Sequence, residues 1–334
     1  MTRHPFVTVI AVCYNHARFV IECLDSIRHQ TYPHMQIIIM DDCSRDDSVE
    51  IIGRWIEHHG VECKFIAHQK NQGLCRTLNE ALELAKGMYI SLIATDDSWL
   101  PDKLARQVAL MENLPDDVGI VYSDAYQIDE HGQYLPEMFI ASHRQFETMP
   151  EGDLREHLVV DNFIPAMTTL IRRTVYDHVG RYDESLAFED WDFWLRAACR
   201  FRFAYSRHPS ANYRILETSM ARTLLAKKNA TACHTYFLIN QKILAMPGLS
   251  TLSRTLTAKR LSRYAQDMYM MGHPQASRAL AASFMSTRQF ADLYWAFLGF
   301  LGIPHKRYSR IINYLSWRIS SQWSRNLSSK KKRE

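Results

Sequence analysis

The stretch VTVIAVCYNHARFVIECLDSIRHQTYPHMQIIIMDDCS, residues 7–44, decides the fold. Val7 to Val12 is an apolar, β-branched run and reads as a strand. Arg18 to Gln30 then places Val20, Cys23, Leu24 and Ile27 at i, i+3, i+4 and i+7, the spacing that lines one helical face. Gln36 to Met40 is a compact apolar segment of the kind that is buried on both faces of a sheet. Strand, helix and strand in that order make a β-α-β unit, and such units build parallel sheets.

Working outward, the same alternation continues. Ser48 to His59 has helical periodicity, Cys63 to Ala67 reads as a strand, and Gly73 to Lys86 carries Leu74, Leu78, Ala81, Leu82 and Ala85 along one side of a helix. Met88 to Ala94 and Val118 to Tyr122 read as strands, separated by a helix opened by Pro101. The pattern predicts an α/β fold: a doubly wound, mostly parallel sheet flanked by helices, binding ligands at the carboxyl ends of its strands. Beyond residue 125 it loosens, with a turn at Glu130-His131-Gly132, a loop from Ser142 to Gly152, and regular structure at Met167 to Arg172 and in a helix starting near Glu189. From about Thr223 the chain reads as entirely helical, with a hairpin at Gly272-His273-Pro274. Two domains are expected, residues 1–222 and an all-helical extension, residues 223–334.

The 334 residues, 47% hydrophobic and 23% charged, suffice for a sizeable core and exclude disorder as the main state. Seven scattered cysteines without a CxxC pair give neither a disulfide framework nor a zinc site, and they fit a reducing cytoplasm. The opening Met-Thr-Arg-His-Pro runs straight into the first strand and lacks the pattern of a secretory leader. Phe290 to Ile303 is apolar, but Asp292 and Pro304 keep it short of the roughly 20 residues a membrane span needs.

Three carboxylate pairs stand where a parallel sheet would deliver ligand-binding groups. Asp41-Asp42 follows one strand, Asp96-Asp97 follows another, and Glu189-Asp190 opens the helix Trp191-Asp192-Phe193-Trp194. Paired acids repel unless a cation or a hydrogen-bonding ligand compensates them. Each pair taken alone also fits a turn or helix cap, a reading that stays open at this point.

Residues 7–44 resemble the opening of the family 2 inverting glycosyltransferases, SpsA-like bacterial members among them, which have the GT-A fold. Asn71-Gln72-Gly73-Leu74, Ala94-Thr95-Asp96-Asp97, Val179 to Glu184 and Glu189 to Arg196 resemble later motifs in the family's order. The likeness spans about residues 5–215 and rests on the combination. It implies that Tyr14 stacks on a nucleotide base, that Asp42 accepts from its ring N–H, and that Arg76 meets the nucleotide. Strand-end packing for Tyr14 and simple solvation for Arg76 are the competing readings. It further implies that Asp97 binds Mn²⁺ or Mg²⁺, that Asp96 lies nearer the ribose or shares the metal, and that Asp190 is the catalytic base. Ala94 and Thr95 stand where many members have an earlier aspartate, and Leu216 stands where a histidine is frequent. The activity implied is transfer of a sugar from a nucleoside diphosphate, UDP above others, to a saccharide or lipid-linked saccharide, as in bacterial surface polysaccharide synthesis.

Two other classes compete. A nucleotidyltransferase would show a Gly-rich, lysine-containing loop after the first strand, and Cys13-Tyr14-Asn15-His16 is not one. A non-catalytic saccharide-binding scaffold would have no need of Asp190 and the acidic pairs. A nicotinamide-dependent dehydrogenase lacks its GxGxxG turn.

The net charge of +4 conceals an asymmetry, because Leu293 to Arg333 holds nine Lys or Arg and no acid. Trp295, Phe297, Phe300, Tyr308, Trp317 and Trp323 are interleaved with Lys306, Arg307, Arg310, Arg318 and Arg325. This composition suits a helix at an anionic membrane surface, which would make the protein peripheral on the inner face of the cell membrane. It equally suits a helix packed on the protein's own core or on a second copy. No nucleic-acid recognition motif accompanies the charge.

Overall fold

The computed structural model describes residues 5–217, 219 and 229–301. Its strands are β1 (Val7–Cys13), β2 (Met35–Asp41), β3 (Cys63–Ala67), β4 (Tyr89–Ala94), β5 (Ser98–Trp99), β6 (Val118–Ile128), β7 (Tyr134–Met138), β8 (Leu170–Arg172) and β9 (Arg202–Arg214). The helices of the first part are α1 (Val20–Arg28), α2 (Ser48–His59), α3 (Leu74–Leu84), α4 (Lys103–Glu112), α5 (Phe139–His143), α6 (Arg155–Val160), α7 (Arg173–Val179) and α8 (Asp190–Ala198). Four more follow: α9 (Ala230–Ala245), α10 (Thr251–Met270), α11 (Ala276–Thr287) and α12 (Phe290–Phe300).

The sheet runs β3-β2-β1-β4-β8-β6-β9-β5, with β7 on β6. Its first four strands are parallel, as the β-α-β reading requires. The short β8 lies antiparallel to both β4 and β6, and β6 then pairs parallel with β9. Every residue of β1 is buried, so the strand is covered on both faces. The four residues singled out on the first helix, Val20, Cys23, Leu24 and Ile27, are fully buried on α1. They join Val7, Val9, Ile37, Ile39 and Trp55 in the main core. Gly87 lets the α3–β4 turn pass against β1, since a Cβ there would lie 2.4 Å from the Thr8 amide nitrogen.

The helix α2 and strand β3 occupy the residues the periodicity predicts. The expected strand at Val118 to Tyr122 runs on to Ile128, and Met167 to Arg172 splits into a 3-10 turn (Ala166–Thr168) followed by β8. Strand β9 has no counterpart in the sequence reading. Its pairing with β6 jumps from Ser123↔Ser206 to Ala125↔Ala211, so Arg207-His208-Pro209-Ser210 bulges out and breaks the alternation.

The described residues fall into two compact units, one within Met1–Ala226 plus Ala245–Arg254, the other within Lys227–Leu244 plus Thr255–Glu334. The segment 245–254 belongs with the first unit because Glu156 accepts from the Ser250 amide (2.6 Å) and both its own and the Ser253 hydroxyl. In the second unit Leu261, Ala265, Met268, Leu280 and Ala296 form a separate core. The hairpin expected at Gly272-His273-Pro274 joins α10 to α11. Residues 223–228 of the expected helical region lie outside the described residues, as does the basic sequence from Ile303 onward.

A lysine is built into the first unit's core. Lys103 is 1% exposed, and its Nζ donates to Ser91 Oγ (2.7 Å), Gln107 Oε1 (3.0 Å) and Thr169 O (3.2 Å) and sits 4.3 Å from the centre of the Trp99 ring. It thereby ties β4, α4 and the start of β8 together. Burial holds its ammonium well below the usual lysine value of 10.5. The unfolded chain therefore binds more protons at this site than the folded one, and the penalty for folding shrinks as pH rises toward 10.5. Thermal melts of wild type and Lys103→Met across that alkaline range should show the wild type gaining stability relative to the variant. Parallel pH profiles would show that folding leaves the proton affinity of Lys103 unchanged.

Candidate functional site

The carboxyl end of β1 sets the site. Cys13 O accepts from the Asp42 amide and Val12 O from the Thr95 amide, both at 2.9 Å, so the segments after β1, β2 and β4 emerge side by side. Asn15 and Cys43 take left-handed backbone conformations, φ 58° and 66°, which turn the chain sharply just after β1 and β2. Asn15 Oδ1 accepts from the Arg45 amide (2.7 Å), and Ser44 Oγ accepts from the Asn15 amide (2.8 Å). Asp41 holds Ser44 through both its amide and its hydroxyl. Tyr14 stands above this locked turn, 41% exposed, with its ring available to a ligand.

Asp42 faces the other way and is buried. Its Oδ1 accepts from His68 Nδ1 (2.9 Å) and the Gln72 amide (2.8 Å), and its Oδ2 from the Gly73 amide (2.8 Å). A carboxylate offers about four lone-pair positions, so one direction on Oδ2 is left for a ligand N–H. Gly73, at φ 89°, is the residue that lets the chain present two successive amides and enter α3 immediately. Arg76 is exposed in the first turn of that helix. His68 also meets Glu80 through Nε2 (3.0 Å), making a chain Asp42–His68–Glu80 that sequence reasoning missed. The only signal was a histidine just past a strand end, one of fifteen in the chain.

At the end of β4 the two aspartates part. Asp97 is 4% exposed and accepts from the Arg214 amide through Oδ1 (2.8 Å). Burial, reinforced by the charge of Asp96, holds its carboxyl well above the ordinary carboxylate range, against the pull of Arg214. Asp96 keeps 14% side-chain exposure and lies 3.7 Å from His16 Nε2, while His16 Nδ1 contacts Thr95 Oγ1 at 3.0 Å. Arg214 is the second residue that sequence reasoning passed over. Its side chain is 2% exposed, donates to Asp96 O (2.9 Å) and Asp129 O (3.2 Å), pairs with Glu22, and lies over the Phe19 ring at 4.7 Å. It therefore fastens the ends of β4, β6 and β9 to α1. Leu216, at the position of the frequent histidine, is buried.

Among the described residues no group of three or more His, Cys, Asp or Glu is placed to hold a metal ion by itself. Asp96 and Asp97 supply two neighbouring carboxylates, and burial together with the charge of Asp96 disfavours an ionised Asp97, a penalty that a bound cation would offset. That donor set fits Mg²⁺ or Mn²⁺ completing its shell with diphosphate and water.

The third acidic pair reaches α3 by a different route. Asn79 Nδ2 donates to Tyr182 O and Glu184 Oε1, both at 3.0 Å, and Asn79 Oδ1 accepts from the Tyr182 amide. These contacts dock residues 182–186 on α3 and deliver the start of α8. Asp190 Oδ2 accepts from Asn162 Nδ2 (2.8 Å) and Oδ1 from the Trp191 amide (2.7 Å). Burial raises its carboxyl above the ordinary value, opposed by those two hydrogen bonds. Glu189 is pushed up to about 8, first by burial and then by the charge of Asp190. Cys75 Sγ contacts Leu186 O (3.4 Å), so the segment leading to this pair packs beside Arg76 at the start of α3. The structure thus gathers Tyr14, Asp42, Arg76, Asp96 and Asp97 around three strand ends, with Asp190 brought alongside by the 182–190 segment.

Residues 8–180 match the family model described as glycosyl transferase family 2. An uncharacterized glycosyltransferase of Methanocaldococcus jannaschii is 28% identical over 213 residues, covering 63% of this chain and 71% of that protein. One from Rickettsia typhi is 28% identical over 196 residues, covering 58% of this chain and 59% of that protein. A Bacillus subtilis glycosyltransferase named for teichuronic acid biosynthesis is 34% identical over 107 residues, 32% of this chain and 42% of its own. In solved structures, S. aureus TarS residues 1–349 in complex with UDP-GlcNAc superimpose with a TM-score of 0.64 at 19% identity, covering 84% of this chain and 81% of that one. A mannosyltransferase of Pyrobaculum calidifontis in complex with GDP-Man and Mn²⁺ gives 0.54 at 17% identity, covering 96% and 87%. The mixed sheet is the GT-A fold, and the chain belongs to glycosyl transferase family 2.

Proposed function

We propose that this protein is an inverting, metal-assisted transferase that moves a sugar from a nucleoside diphosphate, UDP by preference, to a saccharide or lipid-linked saccharide in surface polysaccharide synthesis. The observation that carries the reading is the convergence of an exposed aromatic ring, a buried acceptor with one free direction and two paired acids on the end of one strand. Solved relatives in complex with UDP-GlcNAc and with GDP-Man support a nucleotide-sugar donor. The teichuronic acid relative supports a polysaccharide product.

In this reading the base stacks on Tyr14 and its ring N–H donates to Asp42 Oδ2, with Arg76 at the nucleotide. A divalent cation at Asp96 and Asp97 would neutralise charge on the departing nucleoside diphosphate. Asp190 takes the proton of the acceptor hydroxyl as its oxygen forms a bond to the anomeric carbon. The bond from that carbon to the diphosphate breaks, its electron pair leaves with the nucleotide, and the configuration inverts. Raised affinity for protons makes Asp190 a stronger base than a surface carboxylate. Asn162 orients it, and Asn162 Oδ1, buried without a partner in the structure, can accept from a sugar hydroxyl.

Asp190→Asn should lower turnover by roughly two to four orders of magnitude while donor affinity holds. Near-normal kcat in released-nucleotide assays would move the base elsewhere. Asp97→Asn keeps an acceptor for the Arg214 amide and removes the charge, so calorimetry should find UDP affinity no longer enhanced by Mn²⁺. An undiminished Mn²⁺ effect would take the cation away from this pair. The base must be ionised, and burial raises its proton affinity, so kcat/KM should fall with decreasing pH at a higher pH than for an ordinary carboxylate. Glu189, pushed up to about 8 by burial and then by the charge of Asp190, is still protonated where Asp190 ionises, so Glu189→Gln should leave that acid limb in place. A limb that moves with Glu189→Gln would show that Glu189 is ionised beside the base.

A further inference from the structure

Helix α12 has an apolar face on the side away from the core it packs against. Its inward side carries Asp292, Ala296 and Gly299. The Asp292 carboxylate is fully buried and accepts from Ser262 Oγ (2.6 Å), Gln266 Nε2 (2.8 Å) and Ser283 Oγ (2.6 Å), groups of α10 and α11. Gly299 lies so close to α11 that a Cβ would stand 2.2 Å from Ser277 Oγ. Trp295 and Leu298 also pack inward, and the remaining large side chains face out. Phe290, Leu293, Tyr294, Phe297, Phe300 and Leu301 are 77%, 45%, 46%, 60%, 66% and 58% exposed. At about 100° per residue these six occupy an arc of roughly 120°. An apolar arc of that width ordinarily meets a core, and one left in water marks a partner.

The chemistry of the partner follows from the adjoining sequence. The 32 residues from Gly302 to Arg333 contain nine Lys or Arg and no acid. A second copy of the chain would bring the same positive charge against itself. An anionic bilayer satisfies both features, taking the aromatic face into its headgroup region and the cations at its surface. Among the described residues no helix is long and apolar enough to cross a membrane, so α12 would lie in the interface. We propose that the exposed face of α12 is a docking surface for an anionic lipid membrane, reinforced by the basic sequence that follows it. This does not depend on the assignment of the transfer chemistry.

The test is co-sedimentation of the full chain with phosphatidylglycerol vesicles and with phosphatidylcholine vesicles. Wild type should pellet with the first, at least about tenfold less with the second, and less as salt rises. Phe297→Ser combined with Phe300→Ser should weaken binding to phosphatidylglycerol by about tenfold or more while leaving UDP affinity and the melting temperature unchanged. Arg318→Gln combined with Arg325→Gln, remote in sequence from the packed face of α12, should also weaken it. Equal pelleting of wild type and the Phe double variant, equal pelleting with the two lipids, or wild type that stays in the supernatant overturns the proposal. A dimer that the Phe substitutions dissociate, seen by ultracentrifugation without vesicle binding, assigns the face to a second copy instead.

Discussion

The acids after β2 and β4 are both indexed to one strand. Because β1 is paired in parallel on both sides, its last carbonyls capture the amides of Asp42 and Thr95, and the chain leaving each of three strands is held at a common level. Parallel pairing makes this possible, since it puts the ends of consecutive strands on the same side of the sheet. Burial of β1 on both faces makes it rigid, because neither neighbour can slip without moving the core of Val20, Leu24, Ile27 and Ile39.

On that frame the acidic pairs divide their labour. Asp41 spends its carboxylate on the Ser44 turn, whereas Asp42 organises the loop into α3. Asp97 is sunk against the Arg214 amide, whereas Asp96 keeps access to solvent beside His16. Burial raises the proton affinity of both Glu189 and Asp190, and the charge of Asp190 raises Glu189 further. In each pair two like charges sit close together for different reasons. The site has been assembled by tying down some carboxylates so that their neighbours can be aimed.

Local periodicity was strong enough to reveal the first half of the fold, because β1 to β4 and α1 to α3 have clean apolar patterns and short connections. It failed at β9, where Arg207-His208-Pro209 interrupts a 13-residue strand whose regularity exists only in its pairing with β6. The site residues that were legible are those standing at strand ends or opening a helix. His68 and Arg214 were not, because what distinguishes them is the set of atoms that distant segments bring to them. Nothing adjacent in sequence to Arg214 indicates that it will meet Glu22, Asp96 and Asp129.

That meeting has a consequence for biogenesis. Glu22 and Arg214 are 192 residues apart in sequence, and contacts of that span form only after the intervening chain has been made and ordered. During synthesis at about 5–20 residues per second, the 120 residues between Ala94 and Arg214 take roughly 6–24 s to add. Until Leu170 is added, 76 residues after Ala94, the four parallel strands can already have condensed with the outer edge of β4 lacking its neighbour β8, and for the whole interval the acids beyond it lack their clamp. An open strand edge of this kind is a template for misassociation, so the nascent protein is exposed to mispairing until β8 covers the edge of β4.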